Sequence, residues 1–558
     1  MIIVASPTKP IPVTDKGTVK RGTALEFYSE EIEAAYLLQD CRFIDRIRPP
    51  SYWSLTNTLS FIRETVVGTL GNIESDTSNL FEYGCDSLEA IFLRKAIVNA
   101  LTETIHLESS SMPQDVVYQY PSIFALSQLV SDVATNPGLM KKRDTGVIAD
   151  QMKELVRFHT EYIGNLSSQV LNGDIRAEHR PDTDTVFITG TTGSFGSHIL
   201  IQLINSTSVG RVYAFNRRSA NGTPLRLRQR SAFERAGVNP DLLTSSGKVV
   251  LIEGDLKQAE FGLEKLLYEE LLHSVTHLIH TAWPVDFNLN LEMFHNAILG
   301  VRHLVEFSLS SKLTCIPRMI FISSVGVFHN SDTTIIEEDI LEDPSPALGT
   351  GYSESKWVAE RILLSVAEVL AFRPIIIRVG QLVGSKCNVW KTTEWMPALV
   401  KSSVYLGQLP SVEGEVSWLP VDIAAQAVVE SRNATAPILH LVHPTPVPFE
   451  TIACSLSKLL KLPLVTFSEW LVGLRAAGSQ GLTKHVIEQA PALKLLPFFE
   501  DLERSSHSGG EAFGMPKARC CNVIMESKAV RHAPSLCFDD VNHWVKGWKL
   551  THFLSNAK

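Results

Sequence analysis

The sequence predicts a small all-α bundle of four helices, then an α/β domain on a parallel sheet with a smaller lobe at its C-terminal side. Three observations predict this. Between residues 51 and 138 apolar residues recur at helical spacing. From 185 to 378 short β-rich runs alternate with helix-length intervals, and after 380 that alternation fades. A chain of 558 residues, 44% hydrophobic and 20% charged, is globular in composition and too long for one ordinary domain.

The elements follow in order. Residues 1–50 hold a polar turn from Pro12 to Arg21 and a helical stretch through Glu26, Glu30, Ile32 and Tyr36, too little to bury a core alone. In 51–138, Phe61, Val66 and Leu70, then Leu88, Ile91 and Phe92, mark two helices separated by a loop rich in Asn, Ser, Asp and Gly. A last helix, about 123–133, starts behind Ser122 as its cap. Asn136-Pro137-Gly138 and the charged run Lys141 to Asp144 open a linker, 139–182. Within it Met152, Leu155, Val156 and Tyr162 share one side of an amphipathic helix. The strands are expected at 186–189, 211–215, 249–252, 277–280, 319–322 and 375–378. Apolar strands spaced by helices imply a parallel sheet covered on both faces, in a domain over 183–558 whose substrate lobe is mainly 380–558.

Charge and cysteine usage exclude several classes. A net charge of -9, from 51 Lys+Arg against 60 Asp+Glu, offers no basic face for nucleic acid. No apolar stretch is long enough to span a bilayer, and the opening Met-Ile-Ile-Val-Ala is too short for a signal peptide. The eight cysteines lack C-x-x-C spacing, so reduced thiols in a cytoplasmic protein are expected, with no metal site.

Thr189-Gly190-Thr-Thr-Gly193-Ser194-Phe195-Gly196 follows the first strand and opens an apolar helix. That context marks a Rossmann dinucleotide site. Its glycines allow a tight turn and close backbone approach, and the helix N-terminus faces the pyrophosphate. At the end of the second strand the chain reads Asn216-Arg217-Arg218, where an NAD enzyme normally places a carboxylate. Guanidinium groups there suit a 2'-phosphate, so NADPH is the expected cofactor, and Gly254-Asp255-Leu256 after the third strand resembles the Asp-Leu that borders the adenine in the short-chain dehydrogenase/reductase superfamily.

Tyr352 and Lys356, four residues apart, share a helix face, and a nearby ammonium is expected to lower the phenol pKa for proton exchange with a carbonyl oxygen. Phe321-Ile322-Ser323-Ser324 ends a strand in hydroxyls; Ser324 is the expected third catalytic group, with Ser323 as the alternative. Together with the glycine loop, these residues resemble the extended short-chain dehydrogenase/reductase superfamily. Tyr352 and Lys356 then count among the cofactor contacts.

Gly84-Cys85-Asp86-Ser87-Leu88 places a serine at the head of an apolar helix, where an Asp/Ser cap is the plain structural reading. The stretch also resembles the attachment motif of acyl- and peptidyl-carrier proteins. That resemblance implies 4'-phosphopantetheine on Ser87, added by a phosphopantetheinyl transferase and holding the substrate as an acyl thioester. His280-Thr-Ala-Trp283-Pro-Val-Asp286-Phe287-Asn288, Val416 to Ile423 and His440 to Pro444 look like the thioester reductase of fungal non-ribosomal peptide synthetase-like carboxylate reductases. Pro12 to Arg21 resembles the end of an adenylate-forming domain, with Lys16 in the place of its loop lysine. The resemblance implies NADPH-dependent reductive release of the acyl group as an aldehyde, or as an alcohol after a second hydride. The adenylation core is not in this sequence, so an adenylating activity in trans or an upstream domain is implied as partner. The alternative is reduction of free carbonyl substrates, with the helical domain as a docking module.

Overall fold

The computed structural model describes Tyr28 and residues 47–107, 112–113, 116–136, 145–170, 183–219, 221–287, 289–385, 389–479, 484–504 and 510–554. The expected helix through Glu26 and Tyr36, the Lys16 loop and Asn288 lie outside these residues. The chain divides into two compact units.

One unit comprises Met1–Arg143 together with Ala398–Leu406 and Leu471–Phe499. Between residues 55 and 135 its α-helices are α1 (Leu55–Leu70), α2 (Ser87–Ile105), α3 (Val116–Gln119) and α4 (Ile123–Thr135), and helical segments within 398–406 and 471–499 join them. Ser54 and Ser122 cap α1 and α4 by accepting backbone N–H bonds from Asn57 and Ala125. Phe61, Ile62 and Val66 of α1 are buried, as are Leu126, Val130 and Val133 of α4. On α2 the buried stripe runs through Leu93, Ile97 and Leu101, whereas Leu88, Ile91 and Phe92 are half-buried. Buried alanines at 90, 96 and 100 turn that face inward, a signal the larger residues obscured.

The second unit comprises Asp144–Pro397, Gly407–Trp470 and Glu500–Lys558. In order along the chain come α5 (Thr145–Val170), β1 (Asp184–Thr189), α6 (Ser194–Asn205), β2 (Val209–Arg217), β3 (Val249–Gly254) and β4 (His277–His280). Then follow α7 (His295–Ser310), β5 (Arg318–Ser324), α8 (Gly351–Val369), β6 (Pro374–Val379) and β7 (Ile438–Leu441). The seven strands are all parallel, in the order β7-β6-β5-β4-β1-β2-β3. Each expected strand lies in this sheet. One apolar layer joins Phe187, Phe321, α7 and α8; the other joins Ile188, α6 and the helix Val421–Glu430. The strand order reverses between β1 and β4, so a crevice opens at their carboxyl ends, the usual ligand position in such sheets.

Two segments depart from expectation. Helix α5 was expected within a linker, yet Ile148, Met152 and Ile163 are buried in the core formed with α7 and α8. Its apolar face belongs to the second unit. Residues 380–558 were expected mainly as a lobe, but Ile438–Leu441 form β7 and Val421–Glu430 packs on α6. A four-residue apolar strand interrupted by His440 is too short to show its period. Among the described residues no helix is long and apolar enough to cross a membrane.

Candidate active site at the carboxyl end of the sheet

The glycine loop is built for close backbone contact. Gly190 has φ +75, and a Cβ there would lie 2.9 Å from the Ala282 backbone. A Cβ on Gly196 would lie 2.3 Å from the Gly190 carbonyl oxygen. Gly193 heads α6 without any side-chain cap, and Ser194 and Phe195 form its first turn. The first N–H groups of α6 are thus left for an anion, so these residues fit a dinucleotide pyrophosphate. Gly196→Ala is expected to destabilise the domain by about 1–3 kcal/mol through overpacking, read as a lower melting temperature, and to abolish nucleotide binding in calorimetry.

The loop is tied to β2 by Asn216. Its side-chain oxygen accepts the Thr192 N–H at 3.1 Å, and its amide donates to Thr191 Oγ1 at 2.7 Å. The residue read only as a missing carboxylate is therefore a brace. Arg217 and Arg218 are exposed just beyond it, and the Arg217 carbonyl accepts a bond from Arg228 at 3.0 Å. Asp255 shapes the turn after β3: its N–H donates to Phe261 O at 2.8 Å and its carboxylate accepts the Lys257 N–H. The Leu256 carbonyl is held by His303 at 2.7 Å.

Tyr352, Lys356 and Ser324 meet at the end of β5. Thr350 caps α8, and Gly351 lets that helix approach residues 289–291, where a Cβ would lie 2.3 Å from Asn290 C. The Tyr352 ring stands edge-on to Phe287 at 5.2 Å, and Ser324 lies beside its hydroxyl, acting to lower the phenol pKa. Ser324 Oγ also accepts the Gly326 N–H at 3.0 Å. The Lys356 ammonium donates to the Ile322 carbonyl at 2.6 Å.

The two serines, expected as alternatives, face opposite sides of the strand end. Ser323 donates to Glu360, which forms a buried ion pair with Arg378 at 2.8 Å. Arg378 also donates to Asp339 O and His440 Nε2. Glu360 was not singled out in the sequence, although it sits one turn beyond Lys356 on the same helix face.

Electrostatics run against one expectation. Burial pushes the Tyr352 phenol up to about 12, with Ser324 acting the other way. Burial also holds Lys356 well below the lysine range, opposed by the Glu360 carboxylate. The expected lowering of the phenol by Lys356 is not found, because that ammonium is taken up by Ile322 O and lies 5.9 Å from the tyrosine ring centroid.

A family model described as Male sterility protein, an NAD-binding domain, matches residues 188–428, and one described as AMP-binding enzyme C-terminal domain matches 1–40. The chain is 36% identical over 567 residues to the adenylate-forming reductase Nps10 of Heterobasidion annosum, covering 99% of this chain and 51% of that protein. It is 34% identical to the adenylate-forming reductase Nps11 of Serpula lacrymans, covering 98% of this chain and 52% of that one.

Its curated homologues include adenylate-forming reductases.

The chain spans about half the length of these curated relatives. The relatives are reductases by name, and residues 188–428 of this chain fall within the matched NAD-binding family model. Its fold matches a thiolation-reductase di-domain from an archaeal non-ribosomal peptide synthetase, TM-score 0.58 at 18% identity, over 89% of this chain and 98% of that one. It also matches the terminal R domain of the myxalamid pathway, TM-score 0.57 at 22% identity, over 68% and 94%.

Proposed function

We propose that this chain releases an acyl group, held as a thioester on 4'-phosphopantetheine at Ser87, by NADPH-dependent reduction to an aldehyde. One observation carries the reading: Ser324 beside the Tyr352 phenol, with Lys356 one turn on, at the sheet end that also bears the glycine loop. Bound NADPH supplies the hydride, and the pantetheine thiol is the leaving group.

The chain's own residues do the rest. Gly190, Gly193, Ser194, Phe195 and Gly196 seat the pyrophosphate, Arg217 and Arg218 take the 2'-phosphate, and Asp255 and Leu256 border the adenosine. Ser324 holds the carbonyl oxygen by a hydrogen bond as charge builds there. Tyr352 gives that oxygen its proton; a phenol still protonated at neutral pH is in the right state to do so. Lys356 would hold the cofactor ribose beside Tyr352. Asp86 and Glu89 form a capping box at the head of α2, whose first residue, Ser87, is the proposed attachment point. The acyl group comes from an adenylating activity in trans or on an upstream domain, and a phosphopantetheinyl transferase adds the arm.

The test is direct loading. A phosphopantetheinyl transferase with octanoyl- or benzoyl-coenzyme A would place acyl-pantetheine on Ser87 in one step. NADPH oxidation should then match released aldehyde in a single turnover. Aldehyde from unloaded chain at the same rate would overturn the reading. Cofactor choice has its own check: Arg217→Ala is expected to raise the KM for NADPH about ten- to hundredfold, as loss of a charged hydrogen bond does, with NADH unchanged.

A further inference from the structure

Lys356 is enclosed by aromatic rings. Its ammonium lies 4.3 Å from the Trp283 ring centroid and 4.6 Å from that of Phe321, both within cation–π range. Ile322 O accepts one of its protons. The indole is pinned on several sides: Nε1–H donates to Ser355 Oγ at 3.3 Å, Phe294 stacks at 6.4 Å and Phe321 meets it edge-on at 5.5 Å. Ser355 in turn donates to the Tyr352 carbonyl, so the ring is tied to the turn that carries both Tyr352 and Lys356. We infer that Trp283 is a positioning residue, whose indole face keeps the Lys356 ammonium charged and in place inside a dry site.

The physical need is clear. Burial disfavours the ammonium, and one carboxylate, Glu360, opposes that effect while shared with Arg378 and Ser323. A ring quadrupole adds attraction without adding a group that titrates. The titratable and charged groups around Lys356 are Tyr352 and Glu360 on α8, His280 at the end of β4, Arg378 on β6, and His440 on β7 behind Arg378. Burial pushes His280 to about 3, so it stays neutral above pH 5, while Tyr352 near 12 stays protonated. His440, also pushed to about 3 by burial and by Arg378, is silent in the same window. Burial lowers Lys356 from the usual lysine range, so an alkaline limb to which neither histidine nor the phenol contributes is read as that of Lys356.

This inference rests on the reading of Lys356 as part of the reductase site. The experiment measures single-turnover NADPH oxidation by octanoyl-loaded chain from pH 6 to 9, for wild type, Trp283→Phe, Trp283→Leu and Lys356→Ala. Trp283→Leu should lose up to roughly 3- to 10-fold at pH 8, with its alkaline limb about 0.5–1 pH unit lower, and recover at pH 6. Trp283→Phe keeps a ring and should retain most of the rate and the wild-type limb. A loss that is equal in both variants and independent of pH would mean that Trp283 only fills space, and would overturn the inference. An unchanged Trp283→Leu profile beside an inactive Lys356→Ala would overturn it and leave the site reading standing. Wild-type turnover by Lys356→Ala would overturn both.

Discussion

Tyr352→Phe is expected to slow hydride transfer to the loaded acyl group by about 10²- to 10⁴-fold while NADPH still binds. The change removes one oxygen and keeps the ring that packs edge-on to Phe287 and Phe294. The packing of α8 should therefore survive, and the melting temperature should stay near that of the wild type. What disappears is the proton donor beside Ser324. Single-turnover NADPH oxidation on acyl-loaded chain, beside calorimetric titration with NADPH, separates the two effects. Normal turnover would remove Tyr352 from the mechanism.

Ser87→Ala is expected to abolish transfer of phosphopantetheine and with it all reduction of carrier-bound acyl groups. The hydroxyl is the only atom group removed, and Asp86 rather than Ser87 caps α2, so the helix keeps its N-terminal hydrogen bonds. Alanine is also a favourable residue inside a helix. Intact-mass measurement after incubation with a phosphopantetheinyl transferase reads the first effect; aldehyde release reads the second. NADPH binding should be unaffected. Mass gain on the variant would place the attachment elsewhere.

The sheet was legible because each strand is a dense apolar run with helix-length spacing, and the glycine loop because its spacing answers a steric demand. Gly190 and Gly196 sit where a Cβ would meet backbone, and a sequence reports that demand directly. Tyr352 and Lys356 were legible from i, i+4 spacing. Ser324 was preferred to Ser323 from the register of the strand, and the bond from Ser323 to Glu360 is what the sequence could not reveal. The tertiary partners were not legible. Nothing near Glu360 points to Arg378, eighteen positions away, and Asn216 reads as an absent carboxylate until its bonds to Thr191 and Thr192 are seen. Strand β7 was missed because four residues flanked by turns carry too little period. The α2 stripe was misplaced because alanines supply part of the buried face.

Every motif proposed for catalysis or cofactor binding lies before residue 380, yet the proposed site does not end there. Arg378, which anchors Glu360 beneath the reactive helix, is itself bonded to His440 on β7. That strand also covers the edge of β6. During synthesis, a nascent chain that has reached residue 380 already carries the glycine loop, the tyrosine and the lysine. It still has an open strand edge and an arginine short of a partner. About sixty more residues must emerge before both are satisfied, so the reductase matures late and as a whole. A truncation at the last recognisable motif would keep the signature and lose the enzyme.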